Sequence, residues 1–420
     1  MNTKNSINIC VLGGGFSGLY TALYLCYHPQ VKSGDWKITL VEHNDNFLFT
    51  PLLYELITGE LQRWEIAPTY QKLLAGTSIK FCQHIVTKID LEKRRVALEN
   101  DDSLSYDYLV LGLGTKNYWA DIPGLKNHAL TFRTLQDLEK LQAKIHYLET
   151  LDRKHLRVAI IGGGPNGVEL SCKLADRLEK EGEILLIDRG NHILKGFSKG
   201  VCKASYRALG SRRVQLYLNT NVEEIGENYI ILNHGEQTMN VPVDMVIWVA
   251  GTQSKQLIQS LNCQQSNSGK LLVNPSLQLI NHPEVFALGD LAQISNKNKS
   301  LPGTAQVAYQ QASYTANNIA AIIKGKPLKP FKYLHLGDML TLGRRTAIIS
   351  SYGINISGQL GGIMRRLAYI FRLPTMRHRL QVLRNFAQKI GLKIRIFSVV
   401  LLLLYWVKNH RKNTQNDFKT

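Results

Sequence analysis

Apolar residues run almost unbroken from Ile7 to Leu12, give way to glycine, resume with helical spacing at Leu19, Leu23 and Cys26, and close at Leu40-Val41. That order predicts strand, turn, helix, strand. It recurs at Val158–Ile161, a second glycine turn and Leu186-Ile187. Alternation at Lys80–Ile89 and Arg95–Leu98 predicts short antiparallel strands, and Tyr106–Leu113 a buried strand running into Gly112-Leu113-Gly114-Thr115. Leu135, Leu138, Leu141 and Ile145 line one face of a helix over Thr134–Thr150. The second half repeats the plan, with inserted strands at Gln215–Leu218 and Tyr229–Leu232 and a closing strand over Asp244–Thr252. Leu271–Leu279 and Val285–Leu288 lead through Gly289-Asp290 to a helix at Ala305–Ile323. Pro327–Pro330 reads as a linker, followed by strands at Met339–Leu342 and Thr346–Ser350 and by basic helices.

The two turns carry the chemistry. Gly13-Gly14-Gly15-Phe16-Ser17-Gly18 and Gly162-Gly163-Gly164-Pro165-Asn166-Gly167 both fit G-x-G-x-x-G between strand and helix. Such glycines permit a tight turn and a close approach to a pyrophosphate on the helix N-terminus; an acid about 20 residues on takes the ribose hydroxyls. Glu42 and Asp188 stand at that place, the alternative being solvated acids at strand ends. Arg189 beside Asp188 leaves NADH and NADPH both open, the acid favouring NADH. One fingerprint is a weak signal, but two describe a protein that holds two dinucleotides and passes electrons between them. The fold class expected is α/β: two Rossmann-like domains, the second inserted into the first. The boundaries predicted are 1–120 and 271–330 for the first domain, 121–270 for the second, and 331–420 for a C-terminal module.

Charge adds a third feature. The formal net charge is +19, and eight Arg and five Lys against the single Asp417 place +12 of it in residues 363–420. Ile363, Leu367, Ile370 and Phe371, then Met376, Leu380, Leu383, Ala387 and Ile390, recur at helical spacing among those cations. That is the composition of an interfacial amphipathic helix, and anionic lipid attracts it. A solvated helix packed on the body, or a nucleic-acid patch, are the alternatives; the alternating aliphatics favour lipid, so an anionic lipid surface contacted through residues 363–412 is expected and nucleic acid is not. The apolar run Ile396–Val407 would dip into one leaflet or meet protein, and falls short of the roughly 18 residues that span a bilayer. No secretory leader is expected, since the first strand starts at about Ile7.

Cys10, Cys26, Cys82, Cys172, Cys202 and Cys263 form no C-x-x-C pair, which speaks against dithiol chemistry, and no zinc or iron–sulfur spacing appears, so no metal is expected. The twelve His are scattered. Gly289-Asp290, between a strand and a helix in the returning half, stands where an Asp holds the ribityl chain of FAD in proteins with two dinucleotide sites. FAD is therefore expected on the first fingerprint and the nicotinamide cofactor on the second.

Phe49-Thr50-Pro51-Leu52-Leu53-Tyr54-Glu55-Leu56-Ile57-Thr58-Gly59-Glu60-Leu61 and Thr304-Ala305-Gln306-Val307-Ala308-Tyr309-Gln310-Gln311 resemble the hallmarks of type II NAD(P)H:quinone oxidoreductases, the alternative NADH dehydrogenases, and matching positions run from residue 7 to about 350. The resemblance implies FAD contacts at Gly13, Gly14, Gly15, Phe16, Ser17, Gly18, Glu42, Thr50, Val86, Gly114, Thr115, Asp290, Ala305 and Gln306. It implies nicotinamide-cofactor contacts at Gly162, Gly164, Asn166, Gly167, Asp188, Arg189 and Gly251, and a quinone edge at Gln306, Gln310 and Gln311. It places Glu169 near the flavin and the quinone path as a proton relay beside Gln306; the alternative for Glu169 is an acid favoured by the helix dipole. Gly112 stands where the family usually has Ala. Arg365-Arg366 and Arg372-Leu373-Pro374-Thr375 resemble a cyanobacterial and plastid branch that acts on prenylated naphthoquinones, including demethylphylloquinone.

The implied activity is transfer of hydride from NADH or NADPH to FAD and of two electrons to a membrane quinone, a prenylated naphthoquinone or plastoquinone, without proton pumping. The implied location is peripheral, on the cytoplasm-facing side of a plasma or thylakoid membrane, with a homodimer left open. A soluble reductase of a small iron–sulfur protein, or a flavin redox sensor, would use the same two-domain plan.

Overall fold

The first strand, β1 (Ile7–Leu12), lies at the heart of a sheet whose central strands are buried on both faces. The computed structural model describes residues 6–151, 155–295 and 301–389. β1 pairs in parallel with β2 (Trp36–Val41), and the Phe16–Cys26 helix connects them over the sheet. The Lys80–Ile89 stretch is two strands rather than one. β3 (Ile79–Cys82) extends the main sheet parallel to β2, and β4 (Val86–Asp90) leaves it to pair antiparallel with β5 (Arg95–Leu98) and so with β6 (Ser103–Ser105). The break falls at Gln83–Ile85, where the chain turns away from the end of β2. β7 (Tyr108–Leu111) returns to the other side of β1.

β8 (Thr115–Asn117) leads out of this sheet, and β9 (Ala129–Thr131) opens the second one. Thr134 caps the Leu135–Thr150 helix in a reciprocal box: its Oγ1 accepts from the Asp137 N–H at 3.1 Å, and Asp137 Oδ2 accepts from the Thr134 N–H at 2.9 Å. Such a cap is worth about 1 kcal/mol. β10 (Leu156–Ile161) and β11 (Gly182–Ile187) flank the Pro165–Leu178 helix, and the Lys199–Ser211 helix leads to β12 (Gln215–Tyr217). β12, read from the sequence as an insertion, is a parallel neighbour of β11 in the main sheet. The insertion is the antiparallel trio β13 (Asn221–Ile225), β14 (Tyr229–His234) and β15 (Gln237–Pro242). β16 (Met245–Trp248) then completes the order β12-β11-β10-β16-β9.

β17 (Thr252–Ser254) runs back antiparallel to β8, so the outgoing and returning chain cross side by side. β18 (Leu271–Val273), β19 (Gln278–Leu279), β20 (His282–Ala287) and β21 (Ala292–Ile294) rejoin the first sheet, whose order is β21-β18-β19-β20-β7-β1-β2-β3. The Ala305–Ile323 helix packs on the Phe16–Cys26 helix, with Tyr20 and Tyr309 edge to face at 4.8 Å between ring centres. β22 (Asp338–Thr341), β23 (Ala347–Ser351) and β24 (Ile354–Ser357) form a three-stranded antiparallel sheet; β24 has no counterpart in the sequence reading.

The chain divides into two compact units after Arg365, within the Gly358–Ile370 helix. In the second unit a further helix, Met376–Lys389, follows Pro374, and the Arg366 guanidinium lies 4.7 Å from the Phe386 ring centre. The Ile396–Val407 run lies outside the described residues. Among the described residues no helix is long and apolar enough to cross a membrane.

Candidate active site

The first glycine turn is built by close approach. Gly13 has φ +95°, and a Cβ there would stand 2.5 Å from the Gly112 carbonyl oxygen; a Cβ on Gly18 would stand 1.8 Å from that of Gly13. Only glycine fits. Gly112, the departure from Ala, is itself tight, since its Cβ would sit 2.9 Å from the Gly18 nitrogen. Gly15, by contrast, faces open space, as does Gly114 (φ +63°). The helix at Phe16 begins on Gly15 with no side-chain cap and no acid in its first turn. Orphan N–H groups facing a space are what a pyrophosphate requires.

Glu42 completes the cradle. Its Oε2 accepts from the Gly14 N–H at 2.8 Å, and its Oε1 faces His43 Nδ1 at 2.7 Å and the Asn44 N–H at 3.1 Å. Burial pushes this carboxyl up, but the hydrogen bonds from His43, Gly14 and Asn44 together outweigh it and hold it down to about 2. Tyr70, which the sequence reading missed, donates its hydroxyl to the Gly14 carbonyl at 2.8 Å. Thr50 is exposed one residue beyond Phe49, whose ring meets that of Phe16 at 5.1 Å. Val86 opens β4, four residues past Cys82, whose carbonyl accepts from the Glu42 N–H at 3.1 Å. The returning segment closes the same site: a Cβ on Gly289 would meet Ser17 Oγ at 2.4 Å, and one on Gly303, two residues before Ala305, would stand 3.1 Å from Asp290 Oδ1.

The second turn reproduces the first. Gly162 has φ +123°, a Cβ on Gly167 would again be 1.8 Å from the first glycine's oxygen, and Gly164 is an uncapped helix start facing open space. Asp188 Oδ2 accepts from the Gly163 N–H at 2.5 Å and Oδ1 from the Gly190 N–H at 2.6 Å. Asn166 and Arg189 are exposed beside it. The end of the closing strand, Val249 and Ala250, packs on Gly162, which brings Gly251 (φ +80°) to the same edge.

Two cations from the 121–270 segment reach the first site, and the sequence reading missed both. Arg133 donates to Thr115 Oγ1 at 2.9 Å and lies 3.5 Å from Asp290 Oδ2. Lys255 is half-buried between Glu42 and Arg133; burial pushes its ammonium down, Glu42 opposes that and Arg133 adds to it. Neither sits in a recognisable motif, because each acts on a residue from a distant part of the chain.

Glu169 lies just beyond the first turn of its helix and is buried, so the dipole does not account for it. Its Oε1 accepts from the Thr341 N–H at 2.8 Å and lies 3.3 Å from Arg365 Nη2. Desolvation raises its pKa to about 7 against the attraction of Arg365. Arg365 also pairs with Glu55 and donates to the Pro51 carbonyl at 2.7 Å. This corrects the sequence reading, which counted Arg365 among the lipid-facing cations of residues 363–412: the side chain is buried. Lys173, wholly buried, pairs with Glu60, which also accepts from the Arg345 N–H at 2.7 Å. The Phe49–Leu61 segment is thus tied by charge to the Pro165–Leu178 helix. Glu55 falls below the usual carboxylate range: burial raises it, but Arg365 and Lys173 overcome that.

The three glutamines diverge. Gln306 Oε1 accepts from the Tyr333 hydroxyl at 2.8 Å and the Leu336 N–H at 3.0 Å, and its Nε2 donates to the Gly337 carbonyl at 3.3 Å. Gln310 makes a reciprocal pair with the Leu334 backbone, at 2.8 and 3.0 Å. Both therefore clasp one strap, Tyr333–Gly337. Gln311, read with them as a quinone residue, is buried and instead accepts from the Gly289 N–H at 2.7 Å. Its side chain leaves a different flank of the helix and anchors the Gly289-Asp290 turn.

All six cysteines are free, and burial pushes the Cys10 and Cys172 thiols up to about 12, so neither is a ready thiolate. Among the described residues no cluster could hold a metal ion.

Residues 7–312 match the family described as pyridine nucleotide-disulphide oxidoreductase. The chain is 42% identical to the demethylphylloquinone reductase NdbB of Synechocystis, over 89% of this chain and 94% of that protein. It is 36% identical to the chloroplastic/mitochondrial alternative NAD(P)H-ubiquinone oxidoreductase C1 of Arabidopsis thaliana, over 89% and 79%. NDH2 of Plasmodium falciparum, solved with NADH, superposes with a TM-score of 0.83 over 91% of this chain and 98% of that one, at 20% identity.

Proposed function

The chain belongs to the pyridine nucleotide-disulphide oxidoreductase family and, within it, to the type II NAD(P)H:quinone oxidoreductases, and on that premise we propose that it takes two electrons from NADH or NADPH and delivers them to a membrane quinone. The observation that carries the reading is the doubled cradle. Gly14 with Glu42 and Gly163 with Asp188 make the same amide–carboxylate contact beneath an uncapped helix start, and one chain has them both. FAD in the first cradle supplies the two-electron redox chemistry between nicotinamide and quinone.

The chain's own residues bind, orient and handle protons. Glu42, Tyr70 and the Phe16–Phe49 pair fix the first glycine turn, and Arg133 pairs with Asp290 on the turn that packs against Ser17. Asp188 presents a carboxylate where a 2′-phosphate would have to sit, which favours NADH over NADPH. Glu169 titrates near neutral pH and is held by Thr341 and Arg365, the property a proton relay to a reduced quinone needs. A prenylated naphthoquinone is the acceptor this reading favours, because the relative with 42% identity is named for one. The acid-poor C-terminal segment supports a peripheral place on an anionic membrane.

Anaerobic mixing tests the whole. NADH must bleach the yellow flavin, and a naphthoquinone must restore the colour within the turnover time. Bleaching without recovery would point to a sensor, and recovery with an iron–sulfur protein alone to a soluble reductase.

A further inference from the structure

The basic tail accounts for +12 of the +19 net charge, and the rest is not spread through the body. It lies in one stretch. Between Asp188 and Glu223 there is no acid, while Arg189, Lys195, Lys199, Lys203, Arg207, Arg212 and Arg213 supply the remaining +7, so everything else in the chain is electrically balanced. Within that stretch the Lys199–Ser211 helix buries Val201, Ser205 and Leu209 on one face. Lys199, Lys203 and Arg207, spaced by four, form the opposite face, and all three are exposed. Arg212 is spent on Asp176, 2.7 Å away.

The first turn of this helix touches a hairpin whose tip is apolar. Ser198 Oγ lies 3.3 Å from Ser350 Oγ on β23, and a Cβ on Gly200 would stand 2.4 Å from Asn355 Nδ2 on β24. Ser350 and Asn355 are cross-strand partners, so the tip between them projects beside the helix start. Tyr352 and Ile354 on that tip are 76% and 66% exposed. The Gly358–Ile370 helix follows directly and leaves Leu360 61% exposed, with Ile363 beyond it. Exposed bulky residues are thus concentrated in a few turns of chain that adjoin an acid-free cationic helix face.

We propose that the hairpin tip and the Lys199–Lys203–Arg207 stripe form a second membrane contact, separate from the basic tail, in which Tyr352 and Ile354 enter the headgroup layer while the stripe faces anionic lipid. The proposal rests on the peripheral-membrane reading and deepens it: the domain that carries the second cradle then meets the bilayer directly. An anionic bilayer is the occupant that answers both features, charge for the stripe and an apolar layer for the tip. Polyanions such as nucleic acid answer only the first.

The test is vesicle co-sedimentation of the full chain with bound flavin, using phosphatidylcholine vesicles with and without phosphatidylglycerol. The Lys199→Gln/Lys203→Gln/Arg207→Gln variant is expected to lose roughly tenfold or more in affinity for anionic vesicles. Tyr352→Ser/Ile354→Ser is expected to weaken binding to both kinds. Flavin content and NADH oxidation with a water-soluble quinone stay unchanged in both, which shows that the variants are folded. Unchanged anionic-vesicle affinity in both variants overturns this contact alone. Wild-type chain that ignores anionic vesicles overturns the peripheral reading as well. Loss of duplex-DNA binding in the charge variant, with vesicle binding intact, assigns the stripe to nucleic acid and also overturns the contact.

Discussion

Glu169 Oε1 lies 3.3 Å from the Arg365 guanidinium, in a place where neither side chain reaches bulk water. Arg365 is shared with Glu55, so one cation answers two buried carboxylates. One of them falls below the usual range and the other is raised to about 7, which is how an interior splits two like groups into different roles.

Glu169→Gln tests the relay. The group's pKa in the folded protein lies above its ordinary value, so its contribution to stability is complete below about pH 4.5 and is lost as pH rises through about 7. The glutamine variant has no such loss. Its melting temperature relative to wild type should therefore improve between pH 5 and pH 8. Its turnover with a naphthoquinone should fall about a hundredfold and lose the inflection near neutral pH. A pH–rate profile superposing on that of wild type would remove Glu169 from the proton path.

Arg365→Met removes the shared cation and leaves two buried carboxylates unpaired. The expected cost is about 3–5 kcal/mol in chemical denaturation. Adding Glu55→Gln should recover part of it, since one of the stranded charges is gone. No recovery in the double variant would mean that packing, rather than charge, is what Arg365 supplies.

The two cradles were legible because their physics is local. A Cβ on Gly18 or Gly167 collides with an oxygen only five residues back, so the glycine spacing alone describes the turn. Ile7–Leu12 and Ala305–Ile323 are likewise bounded where the apolar pattern begins and ends. Arg365 was not legible. Its partners lie 310 and 196 residues away in the chain, and an Arg-Arg pair in a basic segment reads as surface. Chain separation likewise hid Arg133 beside Asp290 and, over 56 residues, Tyr70 on Gly14. Gln311 was misplaced because a motif written as Gln-Gln does not say that adjacent helix residues point about 100° apart.

Glu42→Ala should lower flavin occupancy, read from the ratio of visible to ultraviolet absorbance in purified protein. Glu42 is held down to about 2 in the fold, so the stability it contributes is present above about pH 4.5 and lost as pH falls toward 2. Wild-type protein should therefore release flavin only in strong acid, and the alanine variant should do so well above that. Full occupancy in the variant would move the FAD assignment off the first fingerprint.

Asp188→Ser should relax nicotinamide choice. The carboxylate is tied to the Gly163 and Gly190 N–H groups, and an acid at this place after the glycine turn would take the adenosine ribose hydroxyls. Removing the charge while Arg189 stays should raise kcat/KM for NADPH and lower it for NADH, each by roughly tenfold, about 1.4 kcal/mol. An unchanged ratio would place the discrimination elsewhere.

Gln306→Leu separates a clasp from a contact. The Gln306 amide is engaged by Tyr333, Leu336 and Gly337, so the leucine variant frees the strap Tyr333–Gly337 at one end while Gln310 still holds Leu334. If Gln306 positions the strap, Gln310→Leu should produce the same phenotype more weakly: KM for the quinone rises in both, and cleavage by a protease at Lys332 rises in parallel. If Gln306 instead meets the quinone directly, only its own replacement raises KM, and Gln310→Leu loosens the strap without changing turnover. The geometry predicts the first outcome, because every polar atom of the Gln306 side-chain amide already has a partner on the strap and would have to leave it to reach a substrate.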